Sequence, residues 1–309
     1  MKPLLAVVTG PTASGKTELA IALAEHYRTE IISADSRQIF KDLPIGTAAP
    51  TAGERRRAFH HLVGTLPLDA YYSASQFEAE ALALLPSIWA KSPVAMVCGG
   101  SMMYIDALCN GLDDMPAVSD TTRAYVLAML ENHGLEGVLA QLEIVDRDYW
   151  LQVDRNNTRR VVHALEISLE AGVPYSTLRT GRRARRSFNI VKFAIDRSRD
   201  ELFARINARV GRMIAAGLED EARRAFAQGS FNSLNTVGYK EMAAYFAGKM
   251  DFDTAVARIA KNTRVYAKKQ LTWMAHDNSI IRLHPDCALR DAINIIDNNY
   301  LTQWIQEKN

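Results

Sequence analysis

The sequence predicts an α/β protein with a parallel sheet, helices on both faces, and an inserted all-helical domain. Short apolar runs alternate with stretches of helical periodicity, which is typical of βαβ units. The first apolar run leads directly into a glycine-bearing turn. About 90 residues separate the third run from the fourth, and that is far longer than an ordinary crossover connection.

The predicted strands are continuous apolar runs rich in β-branched residues, which indicates burial on both faces. They lie at residues 4–8, 31–34, 94–98 and 190–195, with a weaker fifth at 279–283.

Cap signals define the longer helices. Ser119 begins a helix that is predicted to end at Gly134, and Ser198 begins another through a capping box with Glu201. Further helices are predicted at 157–171, ended by Gly172, and at 253–275. We expect the insertion to span residues 119–186 and the α/β core to comprise 1–118 and 187–309.

Composition and length exclude several classes of protein. The chain has 309 residues, of which 48% are apolar and 23% charged, so it can bury a substantial core. No apolar run is long enough to span a membrane, and the apolar N-terminal run is too short for a signal peptide. Cys98, Cys109 and Cys287 are widely spaced, which favours a reducing, cytoplasmic location.

Charge is divided unevenly along the chain, although the formal net charge is only +2. Residues 1–150 contain 11 Lys+Arg and 18 Asp+Glu, whereas residues 151–275 contain 23 and 12. The later segment therefore carries a net charge of +11. Because local charge decides the attraction of phosphates, the balanced total does not exclude a nucleic acid partner.

The glycine-bearing turn matches the GxxxxGK[ST] phosphate-binding pattern in full, from Gly10 to Thr17. Glycines let backbone N–H groups converge on phosphate oxygens, Lys16 adds a positive charge, and the Thr17 hydroxyl can hold Mg²⁺. The strand before and the helix after make the core P-loop NTPase-like. The motif predicts binding of a di- or triphosphate without identifying the compound.

A second candidate group follows two other strands. Asp35 ends the second strand, and we expect it beside the P-loop turn; the third strand ends at Ser101 without the Mg²⁺-binding carboxylate of ordinary P-loop ATPases. Both side chains are expected in the crevice at the carboxyl edge of the sheet. Asp35 is a candidate general base or metal ligand, and the alternative is a cap for the loop after it.

The ordered motifs of the chain resemble those of the tRNA dimethylallyltransferases, also called tRNA isopentenyltransferases. The resemblance covers residues 3 to 275. Its segments are GPTASGKT at 10–17, ISADSRQI at 32–39, IGTA at 45–48, YSA at 72–74, GGSMMY at 99–104, RRVV at 159–162, RINARV at 205–210, VGYKE at 237–241 and KKQLTW at 268–273.

Members of that family transfer a dimethylallyl group from dimethylallyl diphosphate to N6 of adenine 37 in tRNAs that read codons beginning with U. The resemblance therefore implies Mg²⁺ as cofactor, dimethylallyl diphosphate and the tRNA anticodon stem-loop as partners, and diphosphate rather than ATP in the cradle. A monomer without membrane attachment is expected.

The resemblance also implies roles for individual side chains. Asp35 would accept the N6 proton, Ser101 would bond the adenine or the reacting centre, and Arg209 would contact diphosphate. The implied diphosphate-binding residues are Gly10, Pro11, Thr12, Ala13, Ser14, Gly15, Lys16, Thr17 and Arg205. The implied tRNA-contacting residues are Asp35, Ser36, Arg37, Gln38, Ser101, Arg123, Arg159, Arg160, Lys240, Lys261, Arg264 and Lys268. Thr17 is the implied metal ligand.

Departures from the family pattern occur at Phe40, Ala49, Asn157, His163 and Ala275, and most are expected on the tRNA side. Three alternatives to the tRNA enzyme remain at this point: an adenylate isopentenyltransferase that acts on free AMP, ADP or ATP, a small-molecule kinase, and a non-catalytic RNA-binding protein. An arginine cluster at 179–186 is expected either to bind phosphate or to form a mobile loop.

Overall fold

A computed structural model describes residues 2–181 and 183–302, and within them lies a six-stranded parallel sheet in the order β3-β2-β4-β1-β5-β6. The predicted end of the core at residue 309 and Arg182 of the arginine cluster lie outside these ranges. The strands are Leu4–Thr9 (β1), Ile31–Ser33 (β2), His60–His61 (β3), Val94–Gly99 (β4), Asn189–Ile195 (β5) and Ile280–Leu283 (β6). The five predicted strands are confirmed, and β3 was not predicted because two residues show no periodicity.

The helices follow the predicted caps closely. They are Lys16–Tyr27 (α1), Ala52–Arg57 (α2), Ala74–Trp89 (α3), Met102–Asn110 (α4), Asp120–Val145 (α5), Arg147–Gln152 (α6), Thr158–Ala171 (α7), Tyr175–Leu178 (α8), Arg199–Ala215 (α9), Leu218–Gln228 (α10), Tyr239–Phe246 (α11), Phe252–Ala275 (α12) and Ala288–Ile296 (α13). Ser119 accepts a hydrogen bond from the Thr122 N–H, and Ser198 accepts one from the Glu201 N–H. At Gly134 the chain kinks, with φ 65°, and helix resumes to Val145 rather than ending there.

Strand β1 is buried on both faces, as its continuous apolar run predicts. Leu4, Ala6 and Val8 pack into one cluster with α1 and α13. Leu5 and Val7 pack into a second cluster with α3 and α4. The central strands are therefore held between two apolar layers, and only their ends can carry exposed polar chemistry.

The carboxyl ends of three strands meet at one edge of the sheet. Thr9 of β1 pairs with Gly99 of β4, and Ser33 of β2 pairs with Cys98 of β4. Strand β4 thus lies between the other two, and the strand that precedes Asp35 is not a direct neighbour of β1. The Ser101 strand occupies that place, because a crossover through α3 inserts β4 between them.

Contacts divide the chain into two compact units, one made of the residues up to 110 and from 185 onward, and the other of residues 111–184. In the second unit, α5, α6 and α7 enclose a core that includes Val126, Leu142 and Leu165. Asp113 belongs to this unit because its carboxylate accepts hydrogen bonds from Thr180 and from the Gly181 N–H. In the described ranges no helix is both long and apolar enough to cross a membrane.

Candidate functional site

The glycine-rich loop between β1 and α1 forms a cradle of backbone N–H groups. Gly10, Ala13 and Gly15 have φ values of 145°, 65° and 101°, and glycine makes such positive values accessible at the first and last of these positions. Within residues 2–181 and 183–302, no side-chain hydrogen bond caps the start of α1 at Gly15. The N-terminal N–H groups of α1 are therefore available to an anion, as the motif predicts.

Two features of the cradle suit a phosphate group. The Ser14 hydroxyl is buried and has no hydrogen-bond partner within the described part of the chain, so a bound oxyanion would satisfy it. Among the described residues, the hydrogen bond found for the Lys16 ammonium is a long one of 3.3 Å to the Pro11 carbonyl oxygen. Both groups lie within the predicted motif.

A cavity of about 430 Å³ adjoins the cradle. Its lining includes Lys16 and Thr17 from the start of α1 and Arg205, Arg209 and Arg212 from one face of α9. Ala48 and Ala49 lie on its lining, with Glu18 and Glu54 as its acidic members. The excess of cations makes this cavity a suitable place for a diphosphate.

The cations of this cavity are partly desolvated. Burial lowers the pKa of Lys16, the Arg209 charge lowers it further, and Cys98 and Asp35 act in the opposite direction. Burial also lowers the pKa of Arg209, which Asp35 raises and Arg212 lowers. A bound diphosphate would relieve the repulsion among these cations and favour their charged forms.

Asp35 and Ser101 lie at the ends of β2 and β4. One carboxylate oxygen of Asp35, Oδ1, accepts hydrogen bonds from the Arg37 and Gln38 N–H groups at 2.9 and 3.2 Å. The Ser101 hydroxyl accepts one from the Ser36 N–H at 2.8 Å. Asp35 therefore caps the loop, as the alternative interpretation proposed, while the hydrogen bonds found among the described residues leave its second oxygen, Oδ2, open for a substrate.

Gln38 and Arg37, which are predicted to contact tRNA, donate hydrogen bonds to the backbone of neighbouring loops. The Gln38 amide donates to the Thr47 and Ala48 carbonyl oxygens at 3.4 and 3.1 Å, and Arg209 donates to the same Thr47 oxygen at 3.3 Å. The Arg37 guanidinium donates to the carbonyl oxygens of residues 232 and 233. Gln38 thus braces the loop that lines the diphosphate cavity.

A second cavity, of about 290 Å³, is lined in part by Ser36 and Arg37. Tyr71, Tyr72 and Tyr104 are among its lining residues, and Tyr71 is 64% exposed. Phe40, one of the departures from the family pattern, also lines this cavity and is mostly buried. Aromatic faces of this kind can stack an unpaired base.

The predicted basic residues of α11 and α12 are mostly exposed. Lys240, Lys261 and Lys268 are exposed, whereas Arg264 is half-buried and donates to the Asn207 side chain at 2.5 Å. Lys268 and Arg264 also lie over the Phe203 ring of α9. Lys261, Arg264 and Lys268 are spaced i, i+3 and i+7 and so form a basic stripe on one face of α12. Part of this stripe packs against α9, the helix that carries Arg205 and Arg209.

In the helical unit, the predicted residues differ in their surroundings. Arg159 and Arg160 are exposed in the first turn of α7. Arg123 is half-buried. Burial lowers the pKa of His163 and raises that of Glu166, both on α7, and the positive charge of Arg123 acts to lower both pKa values. Asn157 caps α7 by accepting a hydrogen bond from the Arg160 N–H.

The arginine cluster does not behave as one group. Arg186 donates to Glu78 and to the carbonyl oxygens of Ala107 and Leu108. It therefore ties the start of β5 to α3 and α4, which neither alternative expected. Arg179 lies over the Tyr149 and Tyr175 rings, whereas Arg183 and Arg185 are exposed.

Two arginines that sequence reasoning missed, Arg197 and Arg212, shape the cradle together with the predicted Arg205. Arg197 donates to the Ser14 carbonyl oxygen at 2.7 Å, and Arg205 donates to that of Ala13 at 2.8 Å. Arg212 lines the cavity, one turn beyond Arg209. Only Arg212 had a sequence signal, since its i, i+3 and i+7 spacing from Arg209 and Arg205 places it on the same helix face.

A buried carboxylate, also missed, holds the loop that lines the cavity. Glu221 accepts hydrogen bonds from the N–H groups of Ile45 and Gly46 at 2.7 and 2.8 Å, and from the Tyr239 hydroxyl at 2.6 Å. Tyr239 is fully buried. The VGYKE segment therefore supports the IGTA segment, although the two are far apart in the sequence.

The residues present suit Mg²⁺ only in combination with substrate oxygens. Thr17 lies at the cavity, and its hydroxyl interacts with the Cys98 thiol. In the described ranges no three His, Cys, Asp or Glu side chains converge as a metal site. Mg²⁺ commonly takes one or two protein ligands and completes its shell with phosphate oxygens and water, so the Thr17 position fits that pattern.

Together, the parallel sheet, glycine-rich cradle and cation-lined cavity define a P-loop-type α/β protein. A family model described as "IPP transferase" matches residues 38–277, and one described as "Isopentenyl transferase" matches residues 3–61. The chain belongs to the tRNA dimethylallyltransferase family. The resemblance of the motifs and the predicted fold class are therefore confirmed.

Individual relatives cover nearly the whole chain. It is 49% identical over 282 residues to tRNA dimethylallyltransferase 2 of Parabacteroides distasonis, which is 91% of this chain and 94% of that protein. It is also 49% identical over 292 residues to tRNA dimethylallyltransferase 2 of Porphyromonas gingivalis, covering 94% and 97%.

Solved structures agree with this membership. The full-length tRNA isopentenylpyrophosphate transferase of Bacillus halodurans aligns over 100% of both chains, with a TM-score of 0.71 and 30% identity. A eukaryotic dimethylallyltransferase acting on tRNA aligns over 97% of this chain and 80% of that one, with a TM-score of 0.83 and 24% identity. The latter likeness concerns the fold alone.

Proposed function

We propose that the protein transfers a dimethylallyl group from dimethylallyl diphosphate to N6 of adenine 37 in tRNAs that read codons beginning with U. Family membership supports this proposal. The observation that carries it is the cation-lined cavity at the cradle, which lies so close to Asp35 that the carboxylate influences the pKa of both Lys16 and Arg209. A leaving-group site and a candidate base are thus adjacent.

The proposed reaction is a single displacement. The N6 lone pair attacks C1 of the dimethylallyl group while the bond from C1 to the diphosphate oxygen breaks, and that electron pair leaves with diphosphate. Asp35 accepts the N6 proton on Oδ2. Lys16, Arg205 and Arg209 hold the departing diphosphate and stabilise its growing charge.

Several groups orient the reactants. The Ser101 hydroxyl oxygen already accepts from the Ser36 N–H, so its own hydrogen can be donated to the adenine ring. The cradle N–H groups and the Ser14 hydroxyl bind diphosphate oxygens. Mg²⁺ bound at Thr17 would neutralise part of the diphosphate charge. Because no phosphoryl group is transferred to water, the missing carboxylate at the end of β4 is consistent with this chemistry.

A tRNA acceptor accounts for features that a free nucleotide does not require. Residues 151–275 carry a net charge of +11, and Lys240, Lys261 and Lys268 are exposed. The aromatic cavity beside Ser36 is large enough for one unstacked base of an anticodon loop. We expect the enzyme to act as a monomer in the cytoplasm, where its three free cysteines would stay reduced.

One assay tests the proposal against its alternatives. Labelled dimethylallyl diphosphate is incubated with the protein and Mg²⁺ in the presence of unmodified tRNA with adenines at positions 36 and 37, of AMP, or of ATP. We expect label on the tRNA only. Label on AMP but not on tRNA would contradict the proposal, and transfer of the ATP γ-phosphate would favour a kinase.

A further inference from the structure

The Gln270 side chain lies where three elements of the site meet. It belongs to α12, and it is 3% exposed. Its Oε1 accepts a hydrogen bond from the Thr12 N–H of the cradle at 3.0 Å, and its Nε2 donates to the Gly100 carbonyl oxygen after β4 at 2.8 Å. One amide therefore joins the cradle, the residue before Ser101, and α12.

Both hydrogen bonds require an amide at this position. The Thr12 N–H needs an acceptor and the Gly100 carbonyl needs a donor, and among uncharged side chains of this length only glutamine offers both. The approach to Gly100 is close, since a Cβ atom on that residue would lie 2.3 Å from Nε2. Glycine at position 100 therefore leaves free the space that the Gln270 amide occupies.

These bonds span the two halves of the proposed reaction. Thr12 belongs to the loop that would hold the leaving diphosphate, and Gly100 precedes the serine that would hold the adenine. The neighbouring Arg205 and Arg197 bonds hold only carbonyl groups of the cradle. Gln270 adds a side-chain link between the donor side and the acceptor side, beyond the backbone pairing of β1 with β4 that ends at Thr9 and Gly99.

We propose that Gln270 is a positioning residue that keeps the cradle and the Gly100–Ser101 backbone in register for the transfer and links both to α12. The role rests on the proposed function for the identity of the reactants. Because misplacing reacting groups by about 1 Å can slow a reaction roughly 100-fold, its loss affects kcat at saturating donor and not only the KM for the donor.

The main test is Gln270→Met, which keeps the length of the side chain but removes both hydrogen bonds. We expect the single-turnover rate at saturating dimethylallyl diphosphate to fall roughly 30- to 100-fold. The dissociation constant for inorganic diphosphate, measured by calorimetry, should rise roughly 10-fold, while tRNA affinity stays within about 2-fold of wild type.

Trp273→Phe is the matched control on the same helix. Trp273 donates to Asp106 of α4 at 2.9 Å and packs against the apolar cluster of β1, α3 and α4. We expect this variant to lose thermal stability without a change in the single-turnover rate. If both variants slowed transfer equally, a general loosening of α12 would explain the data and the positioning role would be wrong.

A double-mutant cycle addresses the possibility that Gln270→Met fails to fold. Gly100→Ala in the otherwise native protein forces its methyl group against the amide, 2.3 Å from Nε2. In a Gln270→Ala background that clash is removed, and the tightest contact left is the Gly10 carbonyl oxygen at 3.2 Å. Gly100→Ala should therefore slow transfer at least about 5-fold more in the native background than in the Gln270→Ala background. This difference corresponds to the coupling usual between two residues in contact. Equal effects would overturn the inference.

The two proposals fail in different ways. If the wild-type protein bound inorganic diphosphate but never labelled tRNA, the proposed function would be wrong. The diphosphate affinities of wild type and Gln270→Met would still test whether Gln270 positions the cradle. If wild type labelled tRNA and Gln270→Met matched it in rate and diphosphate affinity, the positioning role would be wrong and the function would stand.

Discussion

The diphosphate cradle and the basic residues of α11 and α12 are both cationic, but they are built differently. In the cradle, Lys16 and Arg209 are partly desolvated. The side chains of Arg197, Arg205 and Gln270 hold the glycine-rich loop by hydrogen bonds to its backbone. By contrast, Lys240, Lys261 and Lys268 are exposed to solvent.

The difference follows from what each region is proposed to bind. A small leaving group develops charge at defined atoms, so fixed donors in a partly dry cavity stabilise it strongly. A long phosphate backbone is attracted by several exposed charges, each of which contributes little and is screened by salt. Substitutions in the cradle should therefore affect rate strongly, and those on the helices should affect tRNA affinity weakly.

The largest effect is expected for Asp35→Asn. The amide oxygen can still accept from the Arg37 and Gln38 N–H groups, but the side chain cannot take the N6 proton, so kcat should fall about 10²- to 10⁴-fold. Filter binding should show tRNA affinity unchanged. Asp35→Ala should be equally inactive and also less stable, because it loses the loop cap; an active Asp35→Asn would exclude the carboxylate as base.

Lys16→Met should come next, with kcat/KM for the donor lowered about 10²- to 10³-fold. Because the pKa of Lys16 is lowered by burial, its ammonium loses the proton below the usual pH range of lysine. Wild-type affinity for inorganic diphosphate should therefore decrease as pH rises through that lowered value. Calorimetry across pH checks this, and the same alkaline loss in Lys16→Met would assign it to another group.

Arg212→Ala tests whether the residue that sequence reasoning missed belongs to the cradle. It lines the cavity beside Arg209, so we expect the KM for dimethylallyl diphosphate to rise roughly 10-fold with tRNA affinity unchanged. Arg224→Ala, an exposed arginine on α10, is the control. Equal kinetics for the two variants would remove Arg212 from the site.

The smallest effects are expected on the exposed stripe. Lys261→Ala and Lys268→Ala should each weaken tRNA binding about 2- to 5-fold and lower the slope of log affinity against log salt by up to about 1. The KM for the donor should not change. Lys249→Ala, another exposed lysine, serves as control, and a matching loss there would indicate only nonspecific attraction.

Most of the fold was predictable because local patterns determine it. The run at Leu4 had to be a strand buried on both faces, and Ser119, Asn157 and Ser198 begin helices as their cap chemistry predicts. The strand order was less accessible, since the pairing of β4 with both β1 and β2 depends on the crossover path rather than on any single segment.

The candidate site likewise contains residues that local sequence predicted and residues whose contacts only the packing of the chain decides. The cradle and Asp35 were found because each is a contiguous motif that follows a strand. Gln38 and Arg37 lie in such a motif, yet their side chains turn out to brace neighbouring loops. A motif specifies residue types at a spacing, whereas the partner of a flexible side chain depends on which distant backbone lies within reach.

The sequence by itself determined the α/β class, the glycine-rich phosphate cradle, the candidate base at the end of β2 and the basic character of residues 151–275. Only the tertiary structure decided that β4 lies between β1 and β2, that Glu221 and Tyr239 support residues 45 and 46, and that Gln270 joins the cradle to Gly100. The reason is physical: propensity and periodicity act over a few residues, whereas the part-buried bond from Thr12 to Gln270 joins groups 258 positions apart and forms only once the chain has packed.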